Sequence, residues 1–309
     1  MSRNAQNGRR VVAEKGSGTQ QGDGLVVWAD GRLLAPGERV LSPVDHGVTV
    51  GDGVFETCGV VDGHAFALTR HLHRLRVSAR GLGLEDPDED LVRTAVSAVL
   101  ERAPGAGRLR ITVTAGLGPL GSGRTPGEPQ TVVVVAGPGG ATAQPTPARA
   151  VRAPWVRNER SAVAGLKTTS YAENVVALAR ATAQGADEAL LANTVGGLCE
   201  GTGSNVFVEV GDEMLTPALS SGCLAGITRA LVLEWAADAD LPVREAAPGE
   251  LPWSVLEDVV ARGSGLALTG SVRTAVPVVA LDGVALEVSP LTQQVVDLYA
   301  ARAADDVDP

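Results

Sequence analysis

The sequence predicts an α+β fold in two halves. Hairpin signals outnumber strand–helix–strand units along the chain. A Pro-, Gly- and Thr-rich stretch at 138–149 (PGGATAQPTPAR) interrupts the apolar periodicity near the middle. With 309 residues and 44% hydrophobic content, the chain can bury two cores. The expected organisation is a polar, disordered leader at 1–23, a small α/β domain at 24–140, a linker at 141–149 and a larger α+β domain at 150–309.

The elements follow in order. LVVWAD (25–30) reads as a strand ended by a Gly turn. VTVGDGVFETCGVVDGHAFAL (48–68) alternates apolar residues around Asp62-Gly63, a strong hairpin signal. Residues 69–82 place apolar side chains at 72, 75 and 79 between basic ones, which predicts a helix ended by Gly83. A second helix spans 88–102. Strands at 108–116 and 131–137 flank the Gly/Pro loop GLGPLGSGRTPGEPQ. Beyond the linker come a strand at 150–156, a helix at 172–184, a strand EALLAN, and a long strand LCEGTGSNVFVEV (198–210). A helix from about 227, a strand at 243–248, a helix at 250–257, the segment GLALTGSVRTAVPVVALDG and a helix at 288–303 complete the chain.

Composition excludes several classes. A net charge of −10 argues against a general nucleic-acid surface, which needs a basic face. No run approaches the ~20 apolar residues of a membrane span, and residues 1–23 lack a signal-peptide core. Three widely spaced cysteines form neither a disulfide framework nor a zinc pattern, and point to a reducing cytoplasm. His71 and His73 have no third ligand near them in sequence, so no metal is expected. GSGRT (121–125) lacks the lysine of a nucleotide-binding P-loop.

Three groups carry chemistry. Of 26 basic residues only two are lysines, Lys15 in the leader and Lys167 in GLKTTSYAEN. Arginine cannot act as a nucleophile, whereas a desolvated lysine can lose its proton and form a Schiff base. The alternative is a surface lysine that survived by chance. Glu200 lies among Leu, Cys, Val and Phe, so it either faces water at a strand edge or meets a cationic partner. Gly226 precedes a helix with Thr228 in its first turn, which is an ordinary N-cap or a monophosphate cradle. Amine, carboxylate and cradle together suggest pyridoxal 5′-phosphate.

The ordered motifs resemble the class IV aminotransferases, the fold type IV pyridoxal phosphate enzymes. They are GDGVFET (51–57), RHLHRL (70–75), GLKTTSY (165–171), DEALLANTVGGLCEGTGSNVFV (187–208), LTP with GITR (215–217, 226–229) and LTGSVRTAVPV (268–278). The resemblance covers nearly the whole chain from about residue 25. It implies a two-domain fold like that of D-amino-acid aminotransferase, with the cofactor at the domain interface, and a homodimer acting on a small molecule. By resemblance, Lys167 is the Schiff-base lysine and proton shuttle, and Glu200 holds the pyridine nitrogen protonated. Arg74, Ile227, Thr228 and Ser271 hold the phosphate, and Tyr171 contacts the cofactor hydroxyl.

Within this family the catalytic residues serve both transamination and elimination. KTTSYAENVVALARA, PWVRNERSAVAGLK and ITVTAGLGPLGSGR are similar to segments of lyase-type members. Arg110 and Arg157, with Phe55, are candidates to bind a dicarboxylate substrate. The expected activity is that of 4-amino-4-deoxychorismate lyase, which eliminates pyruvate to give 4-aminobenzoate, a folate precursor. The alternative is a branched-chain or D-amino-acid transaminase, and a lesser one is an inactive cofactor-binding protein.

Overall fold

A computed structural model describes residues 24–140 and 146–309. The expected leader lies outside the described residues, as does most of the expected linker. Ala148 and Arg149, placed in that linker by sequence, already belong to a strand.

The first half holds β1 (Val26–Ala29), β2 (Arg32–Leu33), α1 (His46–Thr49), β3 (Gly53–Val61), β4 (His64–Ala65), α2 (Leu68–Leu82), α3 (Glu89–Arg102), β5 (Arg108–Thr114) and β6 (Thr131–Gly137). Its six strands run in the order β2-β1-β6-β5-β3-β4. The β3–β4 turn is Asp62-Gly63, with φ of 48° and 79°, as a two-residue hairpin with the strand's own twist requires. α3 starts at Asp88, whose carboxylate accepts the N–H of Leu91. α2 ends at Gly83 in the left-handed region. Alternate residues of the sheet (Val54 and Cys58; Leu109, Ile111 and Val113) pack against Leu72, Leu75, Val92, Val96 and Val99 of the two helices.

The second half holds β7 (Ala148–Arg157), α4 (Ala172–Ala183), β8 (Glu188–Asn193), β9 (Leu198–Gly201), β10 (Asn205–Val210), β11 (Glu213–Thr216), α5 (Ile227–Asp238), β12 (Val243–Glu245), α6 (Val255–Arg262), β13 (Leu266–Gly270), β14 (Thr274–Leu281), β15 (Val284–Ala285) and α7 (Pro290–Asp305). The sheet order is β12-β11-β10-β13-β14-β7-β8-β9, with β15 beside β14. Period-two alternation splits its core. Val206, Val208, Leu266 and Leu268 face α6, while Phe207, Met214 and Ala267 face α5 and α7.

Two expectations change. The single strand over 198–210 is broken at Thr202–Ser204. The buried carboxylate of Glu188 accepts the N–H groups of Thr202 (2.8 Å) and Gly203 (3.3 Å) and the hydroxyls of Thr202 and Ser204, which bends the chain out of the ladder. The helix expected at 250–257 begins only at Val255: Pro252 is tied to Gly197 in an isolated bridge, and a turn at 253–254 separates it from the helix.

The halves meet along the segment that follows β7. Phe55 N donates to Lys167 O (3.0 Å), Thr169 N donates to Gly53 O (2.8 Å), and Thr168 bridges Val54. A second tie joins the start of α2 to the residues after α7. The residue preceding α2, Ala67, sits at φ 54° and provides no side-chain cap. Its N–H donates to Val307 O (2.7 Å), and Asp308 accepts Thr69 N (2.9 Å) and Thr69 Oγ1 (2.6 Å). Asp308 thus caps a helix whose own sequence lacks a cap. Asp308→Ala should destabilise the chain by about 1 kcal/mol in denaturant unfolding. An unchanged midpoint would mean that the cap contributes nothing.

Candidate active site

Both halves line one cavity of about 730 Å³. All the site residues expected from the sequence line it except Arg157.

β3 and α2 build one wall. Strand alternation turns Phe55 and Thr57 to the cavity and Glu56 and Cys58 toward α2. His71, Arg74 and Ser78, spaced three and four apart, share one face of α2. Ser78 Oγ accepts Lys167 N (3.1 Å), so the lysine's backbone is pinned on both sides while its side chain enters the cavity.

Lys167 Nζ lies 4.4 Å from the centroid of the Phe55 ring and 3.4 Å from the Tyr171 hydroxyl. Burial, with the Arg74 cation nearby, lowers its amine from the ordinary 10.5 to about 8, against the pull of Glu56 and Glu200. Tyr171 precedes α4 and meets Phe55 edge-on at 5.0 Å. Burial, then the Glu200 charge, pushes its hydroxyl up to about 12, so it keeps its proton at neutral pH.

Glu200 is 8% exposed. One oxygen accepts Leu224 N (2.9 Å), and the other approaches Arg157 Nε at 3.3 Å without an aligned hydrogen bond. Burial outweighs Arg157, the Leu224 N–H and Lys167, and raises its carboxyl above the usual range. A carboxylate so desolvated is suited to a cationic partner inside the cavity.

Arg157 is not brought to this cavity. It ends β7 behind Glu200, where both terminal nitrogens donate to Asn174 Oδ1 (3.1 Å each), and it lines a neighbouring cavity of about 580 Å³. Pairing with Asn174 of α4 directs the side chain into that second cavity, which Tyr171 and Glu200 also line.

Arg110 is brought in. Its guanidinium carbon stands 3.7 Å from the Phe55 centroid and Nε donates to Thr112 Oγ1 (3.2 Å). No carboxylate among the described residues pairs with it.

The opposite wall is the start of α5. Gly226 precedes the helix and offers no side-chain cap, which leaves the first-turn N–H groups of Ile227 and Thr228 to the cavity. A Cβ at Gly226 would collide with Asn205 Oδ1, and Asn205 Nδ2 donates to Leu224 O (2.8 Å). Arg74 Nη1 donates to Ala225 O (3.0 Å), joining α2 to this helix start. Ser271 lies in the β13–β14 turn, and the buried Thr269 Oγ1 has no hydrogen-bond partner among the described residues. Open helix N–H groups, an arginine, two hydroxyls, an amine of lowered pKa and a carboxylate short of a cation together fit pyridoxal 5′-phosphate.

Sequence reasoning gave no role to Thr57 or Arg108, which also line the cavity. The signal existed, since Thr57 lies two residues from Phe55 and Arg108 two from Arg110, and Thr57 pairs Arg110 across the ladder. Glu56 and His71 were missed because only the packing of α2 on β3 reveals them. Among the described residues no group of three His, Cys, Asp or Glu could hold a metal. None of the helices there is long and apolar enough to cross a membrane.

Comparison with known proteins gives the following similarities. The model of the family described as amino-transferase class IV matches residues 53–281. A bifunctional aminodeoxychorismate lyase / D-amino acid transaminase from Mycobacterium tuberculosis is 29% identical over 91% of this chain and 100% of its own. A fold IV transaminase from Curtobacterium pusillum superposes with a TM-score of 0.75 at 30% identity, over 91% of this chain and 98% of that one. A protein from Mycobacterium tuberculosis described as a hypothetical aminotransferase, in a PLP-bound form, gives 0.76 at 29% identity, over 91% and 100%.

The lowered amine is directly measurable. Labelling of Lys167 in the cofactor-free chain by a small amine-reactive reagent should rise with pH to half its maximum near pH 8. At pH 7 roughly a tenth of the amine would then be neutral, against about one part in three thousand for an ordinary lysine. A midpoint near 10.5, that of a solvated lysine, would contradict the geometry.

Proposed function

The chain belongs to the class IV aminotransferase family, whose members are pyridoxal phosphate-dependent enzymes, and on that premise we propose that it is a 4-amino-4-deoxychorismate lyase. The observation that carries this reading is Arg108 and Arg110, two residues apart on β5, both at the cavity that holds Lys167. Two guanidinium groups at one pleat's spacing suit a substrate with two carboxylates, as aminodeoxychorismate has.

The cofactor, when bound, supplies an electron sink for the bond broken at the substrate. Lys167, once its amine is free, takes the proton from the ring carbon that carries the substrate's amino group. The carbon–oxygen bond then breaks, the ring becomes aromatic as 4-aminobenzoate, and the enolpyruvyl fragment gains the proton at its methylene carbon and leaves as pyruvate. Atoms balance without an oxidant or an added acceptor. Glu200 would hold the proton on the cofactor's pyridine nitrogen, Tyr171 stays protonated beside the amine, and Arg74, Ile227, Thr228 and Ser271 would hold the phosphate. The Phe55 ring contacts both Arg110 and Lys167.

A second reading is amino transfer from an amino acid to a 2-oxo acid. It uses the same Lys167 proton transfer, and the Mycobacterium tuberculosis relative is named for both activities. The reading includes a homodimer, supported by apolar side chains left exposed on α4 (Val175, Val176, Leu178) and at the end of β7 (Trp155, Val156). It also includes a cytoplasmic setting, in keeping with three unpaired, buried cysteines.

Purified protein given aminodeoxychorismate and no 2-oxo acid should release pyruvate and 4-aminobenzoate in equal amounts. Arg110→Ala should lower kcat/KM by about tenfold or more while leaving the absorbance of bound cofactor unaltered. No pyruvate, with amino transfer from D- or branched-chain amino acids instead, would sink the lyase reading in favour of the transaminase.

A further inference from the structure

Glu56 is fully buried, yet it is ionised. Burial alone would raise its carboxyl, but Arg74 and then His71 hold it well below the usual carboxylate range. Arg74 Nε donates to Oε1 (2.8 Å) and Nη2 to Oε2 (2.6 Å), a side-on bidentate pair. His71 Nδ1 donates to Oε2 at 2.6 Å. Burial lowers the imidazole's pKa, so His71 adds a hydrogen bond and no charge, and its Nε2 has no partner among the described residues.

A guanidinium has five N–H groups. In Arg74 two go to Glu56 and one to Ala225 O, which leaves one N–H on each terminal nitrogen. Those two belong to a group fixed against the start of α5, where Ile227 and Thr228 present their own first-turn N–H groups.

We propose that Glu56, steadied by His71, is a positioning residue for phosphate binding: it holds the Arg74 guanidinium in one orientation, so that its two remaining N–H groups meet a phosphate at the start of α5. The proposal rests on the reading of Arg74 as a phosphate ligand. Two effects of Glu56 oppose each other. Its negative charge repels the phosphate, while its two hydrogen bonds remove the rotational freedom that a lone buried arginine would have to lose on binding. The guanidinium stands between the two anions and weakens the repulsion, whereas the orientation acts in full. Orientation therefore dominates, and the sign is open to measurement.

The full-length chain is titrated with pyridoxal 5′-phosphate and, separately, with pyridoxal, which lacks the phosphate. Glu56→Gln should raise the Kd for the phosphorylated ligand by about tenfold or more and leave that for pyridoxal within about twofold. Arg74→Ala should show the same selective loss, and the double variant should lose little beyond it. If Arg74→Ala leaves the ratio of the two constants unchanged, the phosphate is held elsewhere and the underlying reading fails with the proposal. If Arg74→Ala collapses the ratio but Glu56→Gln weakens both ligands equally, or tightens the phosphorylated one, Glu56 does not position Arg74 and the proposal alone is overturned. Should Glu56→Gln fail to fold, Glu56→Asp keeps the charge one methylene back. An intermediate ratio then supports the proposal, and an unchanged ratio overturns it.

Discussion

A primary amine and a carboxylate, both taken out of water on the walls of one cavity and not paired with each other, are the constraint on which the rest of the site depends. Lys167 has a tyrosine hydroxyl and an aromatic face beside it, and burial lowers its pKa to about 8. Glu200 has one backbone N–H and a poorly aligned arginine, and burial raises its pKa. Direct pairing would have stabilised both charges and removed the chemistry, since a salt-bridged lysine stays protonated. The fold holds them apart through the backbone. Lys167 is pinned to the first half by Phe55 N and Ser78 Oγ, and Glu200 stands on β9, a strand of the second half to which Lys167 itself belongs.

The surrounding polar network keeps this arrangement ordered by satisfying groups that do not react. Glu188 takes four donors from the 202–204 bend and so opens the strand beside Glu200. Asn205 holds Leu224 O while Leu224 N serves Glu200, so one short segment links the carboxylate to the start of α5. Glu56 and Asp308 do the corresponding work for α2, one orienting its arginine and the other capping its first turn. Buried polar groups are costly when half satisfied, and in this region most of them bond to a backbone that must turn.

Local signals were legible in the sequence. The Asp62-Gly63 hairpin, the helix beginning near Asp88, the Gly83 stop and the Gly226 helix start each depend on residues within a few positions. Lys167 stood out by contrast with 24 arginines. Long-range contacts were not legible. The break in 198–210 comes from Glu188 on a neighbouring strand, and the start of α6 depends on a bridge between Pro252 and Gly197. The charge of Arg157 is visible in the sequence, whereas its partner, Asn174 on α4, is not. Glu56 lies inside GDGVFET (51–57), but its role appears only when α2 packs across β3.

The most direct test of a site built against its own stability is the melting temperature of Glu200→Gln relative to the parent chain, without cofactor, across pH. A carboxyl whose folded pKa is raised stabilises the fold below its ordinary 4.5 and loses that contribution as pH rises through the folded value. The amide carries no such cost. The variant should therefore melt above the parent at neutral pH, with the gap widening upward from about pH 4.5 and then levelling. A variant that melts below the parent at neutral pH would show that Glu200 is an ordinary paired carboxylate, and a gap that does not change with pH would show that folding leaves its titration unaltered; either result contradicts the account.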